Sequence, residues 1–473
     1  MYAVKTSLYI LYVRGEKMES EDRLGTEPIG KLLVTLMIPS IMAQMVNIVY
    51  NVVDRIFIGR MEGTGSLALA GLGAVLPIIS IIMGFSNLVG MGGAPLAAMK
   101  LGGGEKHEAE KILGNCIYFY LFLALTLTAV LLIFRRPLLF LFGADESSFW
   151  YAEQYYTIYV AGNLFGMGTL ALNVFITTQG FTKRSMLNTC AGAVVNIILD
   201  PILIFGAGLG IKGAAIATVI SQFVSFIMVI SFLAGKNTVI KLSLPKPDLF
   251  IIKRVSVLGF GSFFMGASES VVTSVYNRQL LNYGGSDYVA VMSILLIMSQ
   301  FIYVPPVGMG QGAQPIISYN CGAHKLERVK KTFYLMVTSA TVYSFFIVAL
   351  MEIFAVQLFG VFTNDENLIQ IGVPAMFLFL TGRAFNGIQF GMQHFFQAIG
   401  DALSSTLVAT VRKIVLILPI ALILPGLFGL GVNGVFLTES IADVCSAIFS
   451  IIMFNIRKKR NYGKCMDKEG VTE

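Results

Sequence analysis

The chain has 473 residues, 56% of them hydrophobic and 13% charged, with a mean hydropathy of +0.76 and a formal net charge of +7. A soluble domain carries about 25% charged residues, so this composition excludes a water-solvated globule and calls for a bilayer. The positive charge is spread over short segments between apolar runs, which excludes a nucleic-acid-binding face, and five cysteines without C-x-x-C spacing exclude a zinc or redox motif.

The lead MYAVKTSLYILYVRGEK (1–17) holds an apolar run too short for the h-region of a signal peptide. Met18 opens a second, polar lead and is the expected natural start. Six apolar runs follow at 32–57, 67–98, 112–134, 152–180, 186–206 and 212–234. After the linker GKNTVIKLSLPKPD (235–248), six more occupy 250–281, 287–318, 332–357, 368–398, 405–425 and 432–456. Each reaches the roughly 20 residues that cross a 30 Å hydrocarbon layer. The expected division is a lead (1–27), a first lobe (28–234), the linker (235–248), a second lobe (249–456) and a basic tail (457–473).

An even number of crossings puts both termini on one side. With the termini and linker in the cytoplasm, 25 of the 34 Lys and Arg fall on that side, six on the other and three inside the spans. That bias is the positive-inside signature and accounts for the basic charge. The tail RKKR (457–460) reads as an anchor at anionic lipid. The expected location is the inner (plasma) membrane, with both termini cytoplasmic.

A shift of 220 residues lays the sequence over itself. GGAPLAAMKLGGGEKHEAEK (92–111) meets GAQPIISYNCGAHKLERVKK (312–331), with Pro95 on Pro315, Gly102 on Gly322 and Lys111 on Lys331. Ser66 meets Ser286, Gly162 meets Gly382 and Gly180 meets Gly400. Six helices per copy is an even number, so the copies point the same way and are related by an axis along the membrane normal. The expected fold is an all-α polytopic membrane protein: twelve transmembrane helices in two six-helix lobes about a pseudo-twofold axis.

A charge in the bilayer costs at least about 2.5–3.5 kcal/mol, so carboxylates inside the spans are where chemistry is sought. Asp54 lies near the end of the first span. Asn196 and Asp200 lie four apart in the fifth, on one helical face. Glu269 is in the middle of the seventh. A desolvated carboxylate holds a proton or recruits a cation, which makes Asp54, Asp200 and Glu269 candidates for coupling to an ion gradient. Glu439 and Asp443 share a face of the twelfth span, where Arg383, Arg412 and Lys413 are available to neutralise them, so a structural role is expected there. Pro39, inside the first span, is a candidate bend. The cysteines (Cys116, Cys190, Cys321, Cys445, Cys465) read as small buried hydrophobes. Phosphate loops, H-E-x-x-H and G-x-S-x-G are missing, so an ATPase, a hydrolase or another enzyme is not expected.

The segments IPSIMAQMVNIVYNVVDRIFIGR, GMGGAPLAAMKLGGGEKHEA, NIILDP and VGMGQGAQPIISYNCGAHKLE together resemble the multidrug and toxic compound extrusion (MATE) family over residues 28–456. The resemblance implies two lobes in a V around a cleft, and export of bulky, often cationic organic compounds in exchange for H⁺ or Na⁺. It implies no cofactor besides that ion, and small organic partners in a lipid bilayer; nothing in the sequence argues for a stable oligomer, so a monomer is expected. It carries a coupling site onto Asp54, Asn196, Asp200, Thr218 and Tyr155, with Tyr156 and Tyr159 as neighbouring alternatives to the last. Na⁺ would sit at Asp54 and Asp200. Pro39 matches the family's bending proline, and Glu269 the glutamate of a substrate or second coupling site. Asn386 stands where that second site has an aspartate, which tilts coupling toward the first lobe. The alternative is a lipid-linked oligosaccharide flippase of the same superfamily, which favours a cleft rich in Arg and Lys.

Overall fold

A computed structural model describes residues 23–61, 63–363 and 365–466. Met18 and the end of the tail lie outside them. Eleven helices among the described residues are long and apolar enough to cross a membrane: α1 (Ile29–Gly59), α2 (Gly65–Gly102), α3 (Lys106–Ile133), α5 (Thr182–Gly206), α6 (Ile211–Leu233), α7 (Leu249–Tyr283), α8 (Ser286–Gly322), α9 (Leu326–Ile353), α10 (Glu366–Ala398), α11 (Ala402–Leu427) and α12 (Val432–Lys464). A twelfth crossing, α4, is the pair Phe149–Ala161 and Asn163–Thr178, bent by 54° at the residue between them. The protein is an all-helical, multi-pass membrane protein.

The internal repeat is visible in the helix bounds: α3 and α9 start and stop 220 residues apart. The turns repeat as well. Gly180 and Gly400 take φ of +89° and +70° after α4 and α10, a region that a Cβ disfavours. After α2 the left-handed residue is Gly104 (φ +81°), and its repeat partner after α8 is His324 (φ +58°), the one described non-glycine with positive φ. Gly162 breaks α4, and its partner Gly382 lies in a 3₁₀ stretch (Thr381–Phe385) of α10.

Glycines set how the two halves meet. A Cβ on Gly102 would lie 1.9 Å from the Tyr319 carbonyl oxygen, and one on Gly322 would lie 1.8 Å from that of Met99. These two contacts are images of one another under the repeat, and they clasp α2 against α8 at the ends of both helices. Gly92 meets the Val255 carbonyl and Gly259 that of Leu88, which joins α2 to α7. Gly308 and Gly312 abut Ile41 and Met37, which joins α8 to α1. The first turns of α1 therefore pack in an apolar cluster with α8, α9, α10 and α12, while Val255 and Leu258 of α7 pack in the cluster of the first half. Gln44 donates to Gln311 at 2.9 Å across the same seam. The helix α1 runs unbroken through Pro39.

Both connecting straps are pinned by side chains. Gln179 Oε1 accepts from Thr238 Oγ1, Val239 N and Ile240 N at 2.7–2.8 Å, and Asn115 Oδ1 accepts from Asp248 N at 2.6 Å. Before α1, Leu24 O accepts from Asn320 Nδ2 (2.8 Å) and Arg328 Nη2 (3.1 Å), and Gly25 O accepts from Lys325 Nζ (2.9 Å).

Two sequence expectations are corrected at this end of the molecule. The last helix does not end at 456: residues 457–460 are further turns of α12, where Arg457 and Arg460 pair with Asp401 at 3.0 and 3.1 Å. Burial pushes the Asp401 carboxyl up, but the Ser404 hydroxyl and the two arginines outweigh it and hold the group below the usual carboxylate range. Cys321 and Cys465, read from sequence as separate hydrophobes, form a disulfide between the ends of α8 and α12 with Cα atoms 4.5 Å apart. Their separation of 144 residues hides a pairing that only the packing of α8 on α12 creates.

Candidate functional site

The first half gathers its candidate residues in one place. On α1, Asp54 is 7% exposed; on α5, Asp200 is fully buried. Asp200 lies within the field of Asp54, and the neighbouring Arg55 acts on Asp54 without forming an ion pair with it. Asn196 Nδ2 donates to Asp200 Oδ1 at 3.2 Å, the contact that i, i+4 spacing on a helix provides. Tyr155 of α4 lies beside Thr218 of α6, whose hydroxyl donates to Ala214 O at 3.0 Å, and within the field of Asp54. Tyr159 stacks one turn on, with ring centroids 6.1 Å apart. Tyr156 points the other way, its hydroxyl donating to Leu131 O at 2.7 Å, and Tyr159 lies against Gln222 of α6, so of the three tyrosines Tyr155 is the one placed within the field of Asp54.

Among the described residues, no Lys or Arg makes an ion pair with Asp54 or Asp200. Asp54 Oδ1, Asp200 Oδ2 and Asn196 Oδ1 are buried without a hydrogen-bond partner. Three unsatisfied acceptors and two carboxylates without an ion-pair partner form a site of one chemical kind: it accepts, and a proton, a small cation or a water can satisfy it. The sequence reading passed over Tyr50, which shares the electrostatic environment of Asp54, Asp200 and Tyr159. Its signal was present, since Tyr50 precedes Asp54 by one helical turn.

The second half is built on the opposite principle. Arg412 Nε donates to Asp443 Oδ1 at 2.7 Å and Nη2 to Glu439 Oε2 at 3.1 Å. Arg383 Nη2 reaches Glu439 Oε1 at 3.2 Å. Lys413 pairs with Glu269. Asn386, with its amide nitrogen facing the carboxylate, lies 3.0 Å from Asp443 Oδ1. Three carboxylates thus meet three cations and the cluster is neutral. The structure places Glu269 and Asn386 in this network but not next to one another's partners: Glu269 binds Lys413, and Asn386 serves Asp443.

The cations of the network sit on irregular windings. Consecutive residues on an α-helix point about 100° apart. Arg412 and Lys413 are adjacent and both buried, on the π-helical stretch Val411–Ile417 of α11, while Arg383 sits on the 3₁₀ stretch of α10. Such windings concentrate at functional sites. Because Arg412 holds two buried carboxylates, Arg412→Leu is expected to destabilise the protein by about 3–5 kcal/mol, the cost of breaking a buried pair and stranding its partner. Thermal unfolding in detergent would check this, and an unchanged Tm would contradict it.

A family model described as MatE matches residues 39–202 and 262–423. The chain is 27% identical to the multidrug export protein MepA of Staphylococcus saprophyticus, over 92% of this chain and 95% of that one. It is 26% identical to the protein of the same name from Staphylococcus aureus, over 91% and 95%. Among solved structures, it superposes on a MATE in the bent conformation with TM-score 0.88 at 23% identity, covering 95% of this chain and 99% of that one. An outward-facing multidrug resistance MATE family transporter of the MOP superfamily matches with TM-score 0.87 at 24% identity, covering 93% and 98%.

Proposed function

The chain belongs to the MatE family of membrane transporters, and on that premise we propose that it is a secondary antiporter exporting organic cations in exchange for H⁺ or Na⁺ bound at Asp54 and Asp200. One observation carries the reading: two buried carboxylates, without an ion-pair partner among the described residues, share a site with three unsatisfied oxygens. Taking up a proton or cation relieves the desolvated charge, so the loading state of the site is a natural switch for the lobes. Asn196, Thr218 and Tyr155 orient and complete it, and Pro39 leaves the Thr35 carbonyl of α1 without an amide donor, a point where that helix yields. The end sealed by Gly102 and Gly322 carries most of the Lys and Arg, which supports placing it in the cytoplasm.

The flippase alternative is not favoured. Arg383, Arg412 and Lys413 all spend their charge on carboxylates and leave none for a pyrophosphate. The test is efflux of tetraphenylphosphonium from proteoliposomes under an imposed pH or sodium gradient. The expected result is uphill movement with one of the two gradients and none with the ionophore present. No movement under either gradient would end the reading.

A further inference from the structure

Glu269 stands apart from the rest of its cluster. Its side chain is 53% exposed, while Lys413, which grips it, is 4% exposed, and Arg383, Arg412, Glu439 and Asp443 are all buried. One face of the carboxylate is therefore open and the other is closed by an ammonium anchored from within α11. The groups around Lys413 leave it no second place to go. Glu439 of α12 acts on it but is held by Arg383 and Arg412, Asp443 is held by Arg412 and Asn386, and Tyr303 of α8 and Tyr276 of α7 are neutral phenols near the two glutamates. The cluster is balanced at three against three, so any further cation at Glu269 leaves one positive charge in excess.

From this geometry we infer that Lys413 is a tethered counter-ion that an exported organic cation must displace from Glu269, which makes the Glu269–Lys413 pair the charge-selecting element of a substrate subsite in the second lobe. The inference rests on the exporter reading above. A monocation of substrate size approaches the open face of Glu269 and takes the place of the ammonium. The excess charge then limits how tightly it is held, and the return of Lys413 ejects it. A bound substrate is thus weakened by a charge the protein carries with it. Arg412 and Lys413 both lie buried on the π-helical stretch, and the two adjacent cations serve different carboxylates.

The two halves of the pair are expected to move the apparent KM for tetraphenylphosphonium in opposite directions. In proteoliposome efflux, Lys413→Met removes the competitor, so KM falls about tenfold while maximal turnover also falls; Glu269→Gln removes the receptor, so KM rises about tenfold. In the Glu269→Gln background, adding Lys413→Met is expected to leave KM where it is. A merely structural pair would lower yield and turnover in both variants without splitting KM. A Lys413→Met protein that exports with unchanged or raised KM overturns the inference. Should that variant fail to fold, Glu269→Gln decides alone, since its carboxylate is half-exposed and an unchanged KM overturns the inference equally. If the wild type exports while the variants do not split, only this inference falls; a wild type that moves no tetraphenylphosphonium removes the exporter reading and this one with it.

Discussion

Asp200→Asn is expected to stop gradient-driven export while leaving the protein at least as stable as the wild type. The activity loss follows from what the asparagine cannot do. It neither gains nor releases a proton, and it offers a cation one neutral oxygen where the carboxylate offers a charge. A pH gradient of one unit is worth about 1.4 kcal/mol per coupled proton, so deleting one carrier removes about a tenfold factor from the substrate gradient that can be sustained. Asp54→Asn is expected to act alike. The stability half of the prediction separates function from structure. A buried carboxylate without a cation is a cost to the fold, and its neutral isostere relieves that cost. Efflux at or below about a tenth of wild type, together with an unchanged or raised Tm, is the expected pair of results. Wild-type efflux by both variants would remove the first-lobe site, and a lowered Tm would show that the aspartates are structural.

Much of the architecture is written in residues whose meaning is local. Asn196 and Asp200 are four apart on a helix, and the hydrogen bond between them follows from helical geometry alone. Gly102 and Gly322 align under the repeat because each must admit the same carbonyl, so the repeat found in the sequence and the contact found in the structure are one fact. Other features depend on what the chain does between such points. That Glu269 takes Lys413 and leaves Arg412 to Glu439 and Asp443 depends on how α7, α11 and α12 pack, and the π-helical stretch that carries both cations has no signature in the sequence. The disulfide between Cys321 and Cys465 depends on two helix ends meeting across 144 residues. Asn386 was legible as a departure from the family pattern, but not as a partner of Asp443. The division of the halves was also less simple than a cut at the linker suggests, because α1 and α7 each send their first turns into the opposite cluster.

The double variant Gly102→Ala/Gly322→Ala is expected to abolish transport by denying the protein the state described here. Each added Cβ would fall within 2 Å of a backbone carbonyl oxygen of the other half, and neither backbone can give without moving its helix. Overpacking of this kind costs about 1–3 kcal/mol per site, so the pair supplies about 2–6 kcal/mol against the sealed conformation. About 5.5 kcal/mol carries a two-state equilibrium from 99:1 to 1:99, so the double variant approaches full inversion where either single change gives a partial shift. The cost falls on the state in which α2 and α8 are clasped and is absent from any state that parts them. The expected observation is a longer spin-label distance between positions 105 and 327, which lie just beyond the clasp on opposite halves, with efflux lost. Gly73→Ala is the control: a Cβ there meets nothing within 4 Å, and neither the distance nor efflux should change. A double variant that keeps the wild-type distance and exports normally would mean that the clasp is not a state the transport cycle must visit. Since Gly102 and Gly322 are images under the repeat, the two single variants should shift the equilibrium by similar amounts. An asymmetry between them would measure how far the two copies have diverged in what they contribute to closing that end.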